Sequence, residues 1–243
     1  LETILEGVMM LKEVTTKATA TITSYGERLS STIIFEIFKN NGYDVVLKDG
    51  RDLIETQIQN NRTVVNWDAT QIKTQEFFKN NSSKCTLVPG FVARDAAGNS
   101  TTLGRGGSDF SAAILAHVLN ADVLEIWTDV SGMYTANPKL VKQATPIEKL
   151  SYLEAMELSH FGAKVIFPPT LQPLVEKQIP VRIKNTFAPK DNGTLIDNST
   201  PEQNGVVVKG ISHIDQISLI SLEGSGMVGI PGFSKRLFEA LSI

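Results

Sequence analysis

The sequence has 243 residues, 42% of them hydrophobic, which is enough for one large domain with a buried core and part of another. Its 23 Lys and Arg against 26 Asp and Glu give a net charge of -3 with no basic block, so we expect no nucleic-acid partner. The single cysteine excludes an intrachain disulfide, and the printed residues contain neither a long apolar run nor a secretory signal, so we expect no membrane partner and a cytoplasmic location.

The amino-terminal part predicts two helices separated by a strand. Apolar residues recur at helical spacing over 1–13, so the chain begins inside a helix. Because an α/β domain usually opens with a strand, we expect upstream parts to be missing. The β-prone run TITSYGERLSS is interrupted at Gly26 and followed by helical spacing up to Asn41-Gly42, which predicts a strand, a turn and a helix.

Strands and helices then alternate. YDVVLKD (43–49) and CTLVPGFV (85–92) are typical of buried strands, with a polar helix near 68–81 between them. A helix at about 108–120 is followed by the strand DVLEIWT (122–128).

The next segments continue this alternation. SYLEAMELSHFGA begins with Ser151 three residues before Glu154, a capping box that marks a helix start. PTLQPLVEKQ is helical, and IPVRIKN (179–185) is a strand. The order predicts an α/β fold with a largely parallel sheet covered on both faces.

After about Asp197 the composition changes to a polar linker, DNSTPEQNG. Beyond it, VVVKGISHIDQISLISLEG and a helix carrying Phe233 and Leu237 predict a second module. Two strands and one helix in so short a segment cannot bury a core alone. We therefore expect one domain over 1–200 and an incomplete one over 206–243.

The segment LGRGGSDFSAA (103–113) carries the clearest chemical signal. Its glycines permit positive φ and close backbone approach, and the following helix directs free N–H groups and a positive dipole at the turn, which suits an anion. Arg105 adds a fork for a carboxylate or phosphate, and Asp109 adds a negative charge in the first helical turn. Alternatively, Ser108 and Asp109 merely cap the helix and Arg105 is solvated.

Three nucleotide-binding motifs are excluded. A G-x-G-x-x-G fingerprint would need glycine where Asp109 stands, and no G-x-x-x-x-G-K-[ST] run occurs. The protein-kinase H-R-D and D-F-G runs are absent too.

Further polar segments lie at strand ends or in the turns after them, where an open parallel sheet places its ligands. They are YGERLS (25–30), WTDVSGMYTANPK (127–139), FGAKV (161–165) and RIKNT (182–186). Glu27 either pairs with Arg28 or faces a ligand amine. Each of three further candidates also has an interpretation without a ligand. Asp129 could be a turn residue, Tyr134 could simply pack, and Lys164 could be a solvated lysine.

Taken together and in this order, these segments resemble the aspartate kinase branch of the amino acid kinase family. The motifs that carry the resemblance are Gly26-Glu27-Arg28-Leu29-Ser30, Gly104 to Asp109, Trp127 to Pro138, Phe161 to Val165 and Ile183-Lys184-Asn185-Thr186. The tail ISLISLEGSGMVGIPGFSKRLFEALS resembles the start of an ACT regulatory domain. Its sequence is similar to that of the bifunctional aspartate kinase–homoserine dehydrogenases. The resemblance implies a three-layer αβα sandwich, an amino acid kinase fold, over 1–200 and a partial ACT-like domain over 206–243.

The implied activity is transfer of the γ-phosphoryl group of ATP, with Mg²⁺, to the β-carboxylate of L-aspartate. The product is 4-phospho-L-aspartate, at the first step towards lysine, threonine and methionine. The implied aspartate-binding residues are Glu27, Arg105, Ser108 and Asp109, of which Arg105 and Asp109 are catalytic. The implied nucleotide-binding residues are Thr128, Asp129, Tyr134, Lys139, Lys164 and Val165, and no residue is implied as a metal ligand.

The sequence departs from the family pattern at three places. The K-F-G-G strand and loop, whose lysine neutralises the transferred phosphate, does not occur in these residues, which implies impaired transfer. Asn137-Pro138-Lys139 replaces a common D-P-R, and Phe167-Pro168-Pro169-Thr170 replaces a common H-P-R-T. A family member with another substrate, or a non-catalytic binding or regulatory fragment, therefore stays open.

The ACT-like tail implies regulation. It predicts feedback inhibition by a pathway amino acid. Threonine is favoured over lysine because the tail resembles that of the bifunctional enzymes. ACT modules usually pair, so the resemblance also implies a homo-oligomer in the intact protein.

Overall fold

The structure is a computed structural model that describes residues 1–60, 62–161, 165–198, 208–218 and 232–241. The chain divides into two compact units, residues 1–213 and 214–243. None of the helices within these described ranges combines the length and the apolar character that crossing a membrane requires. The domain ranges that the sequence predicts, 1–200 and 206–243, stay a prediction.

Two helices open the first unit, α1 (Glu2–Leu11) and α2 (Thr16–Asn40). The strand and turn predicted before Gly26 are wrong, because α2 runs through them without a break. The buried positions Ala20, Ser24 and Ser31 follow a helical period, and α2 packs against strands of the first unit. Thr21 Oγ1 donates to the carbonyl one turn earlier at 2.8 Å, so its hydroxyl is satisfied within the helix. Tertiary packing outweighs the β propensity of the threonines.

The remaining elements of the first unit follow in chain order: β1 (Val45–Leu47), a 3-10 turn (Gly50–Asp52), β2 (Glu55–Gln59), β3 (Arg62–Val65), α3 (Trp67–Asn80), β4 (Cys85–Leu87), β5 (Val92–Asp95), β6 (Ser100–Thr102), α4 (Gly107–Leu119), β7 (Leu124–Thr128), β8 (Lys149–Ser151), α5 (Tyr152–His160), α6 (Pro168–Lys177), β9 (Val181–Asn185) and β10 (Thr194–Asp197). The helices predicted near 1–13, 68–81 and 108–120 are confirmed. The capping box that opens α5 is confirmed as well, with both reciprocal hydrogen bonds present.

Within the described residues, the strands form three sheets, β1-β4, β7-β9-β10-β8 and β3-β2-β5-β6. Four pairings are parallel, namely β1 with β4, β2 with β5, β7 with β9 and β8 with β10. The other three, β2 with β3, β5 with β6 and β9 with β10, are antiparallel. The α/β class with mainly parallel pairing is confirmed; β3 and β6 are antiparallel edge strands, while the antiparallel β9–β10 pair lies inside its sheet.

The run 85–92 differs from its prediction as a single strand. β4 ends at Leu87, and β5 begins at Val92. Between them, a Cβ atom on Gly90 would lie 2.9 Å from Ser108 Cα, so the intervening loop packs directly on the first turn of α4. The sequence shows that the run is apolar, but it does not show that part of the run is a loop packed against α4.

Two apolar cores flank α4. The larger lies among α4, α5, α6 and the β7-β9-β10-β8 sheet, and the smaller contains Leu53, Ile54 and Val65. Neighbouring residues of α4 enter both, Ala113 the larger core and Ile114 the smaller. Because α4 is fixed on two sides, the glycine-rich turn at its amino end is held in place.

The second unit is described by its helix, α7 (Phe233–Leu241), which the sequence predicts. Residues 208–218 contain no strand, and the rest of the run predicted as strands lies outside the described residues. The ACT-like module stays a prediction.

Candidate functional site

The glycine-rich turn presents an open helix end. Gly104 and Gly106 have φ values of +71° and +65°, which only glycine adopts freely. α4 starts at Gly107 with no side-chain cap, so Ser108 and Asp109 do not cap it as the simpler interpretation of the sequence had them. The Gly107 N–H donates to the Gly104 carbonyl at 3.0 Å, so among the described residues the N–H groups of Ser108 and Asp109 remain available to an anion.

Phe91, which sequence reasoning missed, supports this turn. It holds φ at +68°, which is costly for a bulky side chain, and its N–H donates to Ser111 Oγ at 2.9 Å. A Cβ atom on Gly107 would lie 2.8 Å from the Phe91 ring. Strained backbone against a glycine turn is typical of a functional site, and no local sequence signal marks it.

Arg105 and Asp109 place opposite charges at the amino end of α4. Arg105 is exposed and makes no ion pair or side-chain hydrogen bond within the described part of the chain. Asp109 is partly buried, has no hydrogen-bond partner among those residues, and burial raises the pKa of its carboxyl above the ordinary value. An unpaired cation and an unpaired, partly buried carboxylate favour a ligand that carries both signs of charge.

The raised pKa gives a stability prediction for Asp109→Asn. Between the ordinary and the raised pKa the folded chain holds a proton that the unfolded chain has lost, so wild-type stability falls as pH rises through that window and stays reduced above it. We expect Asp109→Asn to unfold at higher denaturant than wild type at pH 7, with the difference narrowing as pH approaches 4. Urea titrations across that range measure it.

Asp122→Asn, at an exposed carboxyl, is the matched control. It should leave stability nearly unchanged at both ends of the pH range. A constant difference for Asp109→Asn at every pH would contradict the burial argument.

Glu27 and Arg28 lie inside α2, not after a strand as predicted. Arg28 forms an ion pair with Asp49 at 3.7 Å, which argues against the alternative in which Arg28 pairs with Glu27. Although burial acts to raise the pKa of Asp49, hydrogen bonds and charge from Arg51, with the charge of Arg28, hold it below its usual range. Glu27 forms no ion pair within the described ranges, and its helix packs on β6, the strand that leads into the glycine-rich turn.

Phe167 links the glycine-rich turn to α6. A Cβ atom on Gly106 would lie 2.5 Å from Phe167 Cβ, so the start of α6 touches the turn. Val165 packs against the larger core, and Lys164 lies outside the described residues. The sequence marks Phe167 only as a departure from the family pattern and gives no sign of this contact.

Two of the polar segments predicted at strand ends, 127–139 and 182–186, meet at the carboxyl ends of β7 and β9. Thr128 and Asn185 are partners in the parallel register, and the Thr186 N–H donates to the Thr128 carbonyl at 2.8 Å. Asp129 is exposed, and its Oδ1 accepts from Thr128 Oγ1 at 3.2 Å. The carboxyl ends of β7 and β9 therefore lie side by side, where an open parallel sheet places its ligands.

A hydrogen-bond network ties the two turns at this edge together. Ser131 Oγ donates to Asp191 Oδ2 at 2.6 Å, and Asn185 Nδ2 donates to Ser131 Oγ at 3.0 Å. The Lys184 ammonium donates to the Asp191 carbonyl. Sequence reasoning missed Ser131 and Asp191 as site residues, because the two are far apart along the chain.

Tyr134 and Lys139 lie further along the same turn. Tyr134 is partly buried in an isolated bridge with Pro146. Lys139 is exposed, and its backbone N–H donates to Asn137 Oδ1 at 3.0 Å. Across the described stretches, no hydrogen bond joins either side chain to Thr128 or Asp129, and no group of acidic, histidine and cysteine residues is arranged to hold a metal ion.

The comparison with protein families decides the membership of the chain. The sequence profile of the amino acid kinase family matches residues 5–185. The chain belongs to the amino acid kinase family. Aspartate kinases are among its structural neighbours, which confirms the amino acid kinase fold predicted from the sequence.

Relatives of this amino acid kinase chain extend the comparison. The bifunctional aspartokinase/homoserine dehydrogenase of Haemophilus influenzae is 39% identical over 98% of this chain and 29% of that protein. Lysine-sensitive aspartokinase 3 of Escherichia coli is 32% identical over 100% of this chain and 55% of that protein. The chain thus spans less than two thirds of the length of these relatives.

Solved structures agree. Escherichia coli aspartokinase III in complex with aspartate and ADP matches with a TM-score of 0.74 and 34% identity, over 83% of this chain and 46% of that one. The same enzyme in complex with lysine and aspartate matches with a TM-score of 0.71 over the same shares.

Proposed function

We propose that this chain carries the catalytic site of an aspartate kinase, which transfers the γ-phosphoryl group of ATP to the β-carboxylate of L-aspartate. The observation that carries the proposal is the open amino end of α4, where Arg105 and Asp109 have no partner among the described residues. The named ligands of the Escherichia coli neighbour, aspartate and ADP, supply the matching chemistry. The product is 4-phospho-L-aspartate, at the entry to the lysine, threonine and methionine pathway.

The proposed reaction needs positioning and charge neutralisation. A β-carboxylate oxygen of aspartate attacks the γ-phosphorus, the bond from that phosphorus to the β,γ-bridging oxygen breaks, and ADP leaves with the electron pair. The carboxylate is already a nucleophile, so no side chain has to remove a proton. Catalysis then rests on in-line placement and on donors directed at the transferred group.

Each end of aspartate finds a complementary group in this proposal. Arg105 and the free N–H groups of α4 bind a carboxylate, and Glu27 binds the ammonium group. Asp109 and Ser108 complete the pocket. The partly buried Asp109 gains a cationic neighbour when the ligand binds, which offsets the cost of keeping it charged.

The nucleotide lies along the edge formed by β7 and β9. Thr128, Asp129 and Tyr134 contact it, Lys139 meets a phosphate as a point charge, and Lys164 and Val165 line the site. Mg²⁺ would arrive as part of the substrate Mg-ATP, held by phosphate oxygens and water.

Trapping of the acyl phosphate tests the proposal. The protein is incubated with Mg-ATP and hydroxylamine, and with aspartate, glutamate, N-acetylglutamate or UMP in turn. We expect calorimetric binding of both substrates and hydroxamate with aspartate alone, formed slowly because the K-F-G-G lysine that neutralises the transferred phosphate does not occur in these residues. ADP release only with UMP would overturn the proposal, and binding of both ligands without hydroxamate would favour a non-catalytic fragment.

Regulation belongs to the same proposal. We infer feedback by a pathway amino acid acting on a homo-oligomer, with threonine favoured over lysine by the carboxyl-terminal sequence. The Escherichia coli relative is named as lysine-sensitive and its structure includes lysine, so lysine is the natural competitor in the test. Inhibition by lysine and not threonine would overturn the preference.

A further inference from the structure

Phe187 is the most exposed aromatic side chain among the residues that the structure describes, with 84% of its surface open to solvent. Removing an apolar ring from water is favourable, so binding of a ligand that covers the Phe187 ring would be stabilised. Phe187 lies two residues after the last residue of β9, at the end where that strand pairs with the end of β7.

The backbone that carries Phe187 is anchored. The Phe187 N–H donates to Asn185 Oδ1 at 2.9 Å, and the Asp191 N–H donates to the Ala188 carbonyl at 3.0 Å. The Ser131–Asp191 hydrogen bond holds the far end of the same loop to the turn after β7. The exposure of Phe187 is therefore fixed by the loop and does not come from a loose end of chain.

The anchored ring lies beside the proposed nucleotide residues. The hydrogen bond from Thr186 N–H to the Thr128 carbonyl, 2.8 Å long, brings the residue just before Phe187 against the last residue of β7. Asp129 follows immediately. A nucleotide along this edge presents phosphates to polar and basic groups and leaves the flat faces of its base to be covered.

We propose that Phe187 is the platform on which the purine base of the nucleotide stacks. This inference rests on the proposed function, because it requires ATP at the β7–β9 edge. Base stacking on an aromatic ring is tolerant of the base and contributes about tenfold or more in affinity. The anchored loop presents the ring in advance, so little ordering is needed on binding.

The test compares Mg-ATP with magnesium inorganic triphosphate, which has the phosphates and no base. Calorimetric titrations use wild type, Phe187→Ala and Phe187→Trp, with Tyr43→Ala as a control at another exposed aromatic residue. We expect Phe187→Ala to weaken Mg-ATP binding about tenfold and to leave triphosphate binding unchanged. Phe187→Trp should retain ATP affinity and show additional tryptophan quenching when ATP binds.

Each other outcome has one meaning. Wild-type affinity for Mg-ATP in Phe187→Ala overturns the stacking role and leaves the proposed function standing. Equal loss of ATP and triphosphate binding also overturns it, since the ring would then act on the loop and not on the base. Failure of wild type to bind either ligand overturns the proposed function and the stacking role with it.

Discussion

Replacing Arg105 with alanine will weaken aspartate binding roughly 30-fold or more, since truncating one partner of a charge-assisted contact costs about 2–5 kcal/mol. Within the described ranges, Arg105 makes no ion pair or side-chain hydrogen bond, so its guanidinium is available to a ligand. The change should leave the urea midpoint unaltered, because an exposed side chain without contacts adds little to stability. Calorimetric titration with aspartate measures the loss, and the KM for aspartate measures it wherever turnover is observed.

Two further variants sharpen the Arg105 experiment. Arg105→Lys keeps the charge but loses the planar fork, so it should fall between wild type and alanine. Arg62→Ala removes an exposed arginine on β3 and should bind aspartate normally. If Arg105→Ala and Arg62→Ala bind aspartate equally well, Arg105 is a solvated residue and the aspartate site lies elsewhere.

The elements that the sequence predicts well are those with local signals. The capping box of Ser151 and Glu154 specifies the start of α5 because both partners lie within one turn. α2 shows the opposite case: its threonines favour a strand, yet it is a helix, and it packs on β1 and β6, which come later in the chain. Propensity is local, whereas that packing is not.

The site divides along the same line. The glycines, Arg105 and Asp109 stand in one short run, so their chemistry is readable before any fold is known. The Ser131–Asp191 hydrogen bond and the contact of Phe167 with Gly106 join segments that are distant in sequence, and their residue types fit many roles. Spacing cannot predict them, because the pairing exists only once the sheet and α6 are assembled.

The contact between Gly106 and Phe167 makes Gly106→Ala a strongly disruptive change in the glycine-rich turn. The left-handed φ of +65° costs an alanine about 1–2 kcal/mol. A Cβ atom 2.5 Å from Phe167 Cβ forces the turn or the start of α6 to move, which adds about 1–3 kcal/mol. We expect a loss of about 2–5 kcal/mol in the free energy of unfolding, measured by urea titration.

Gly104→Ala separates the two causes, because Gly104 has a φ of +71° with nothing within 4 Å of the position its Cβ would take. It should lose only the backbone contribution, about 1–2 kcal/mol, so the difference between the two variants reports the contact with Phe167. Because that contact joins α6 to the turn that holds Arg105, Gly106→Ala should also weaken aspartate binding more than Gly104→Ala does. Equal losses in both variants would mean that Phe167 yields freely and that α6 does not position the glycine-rich turn.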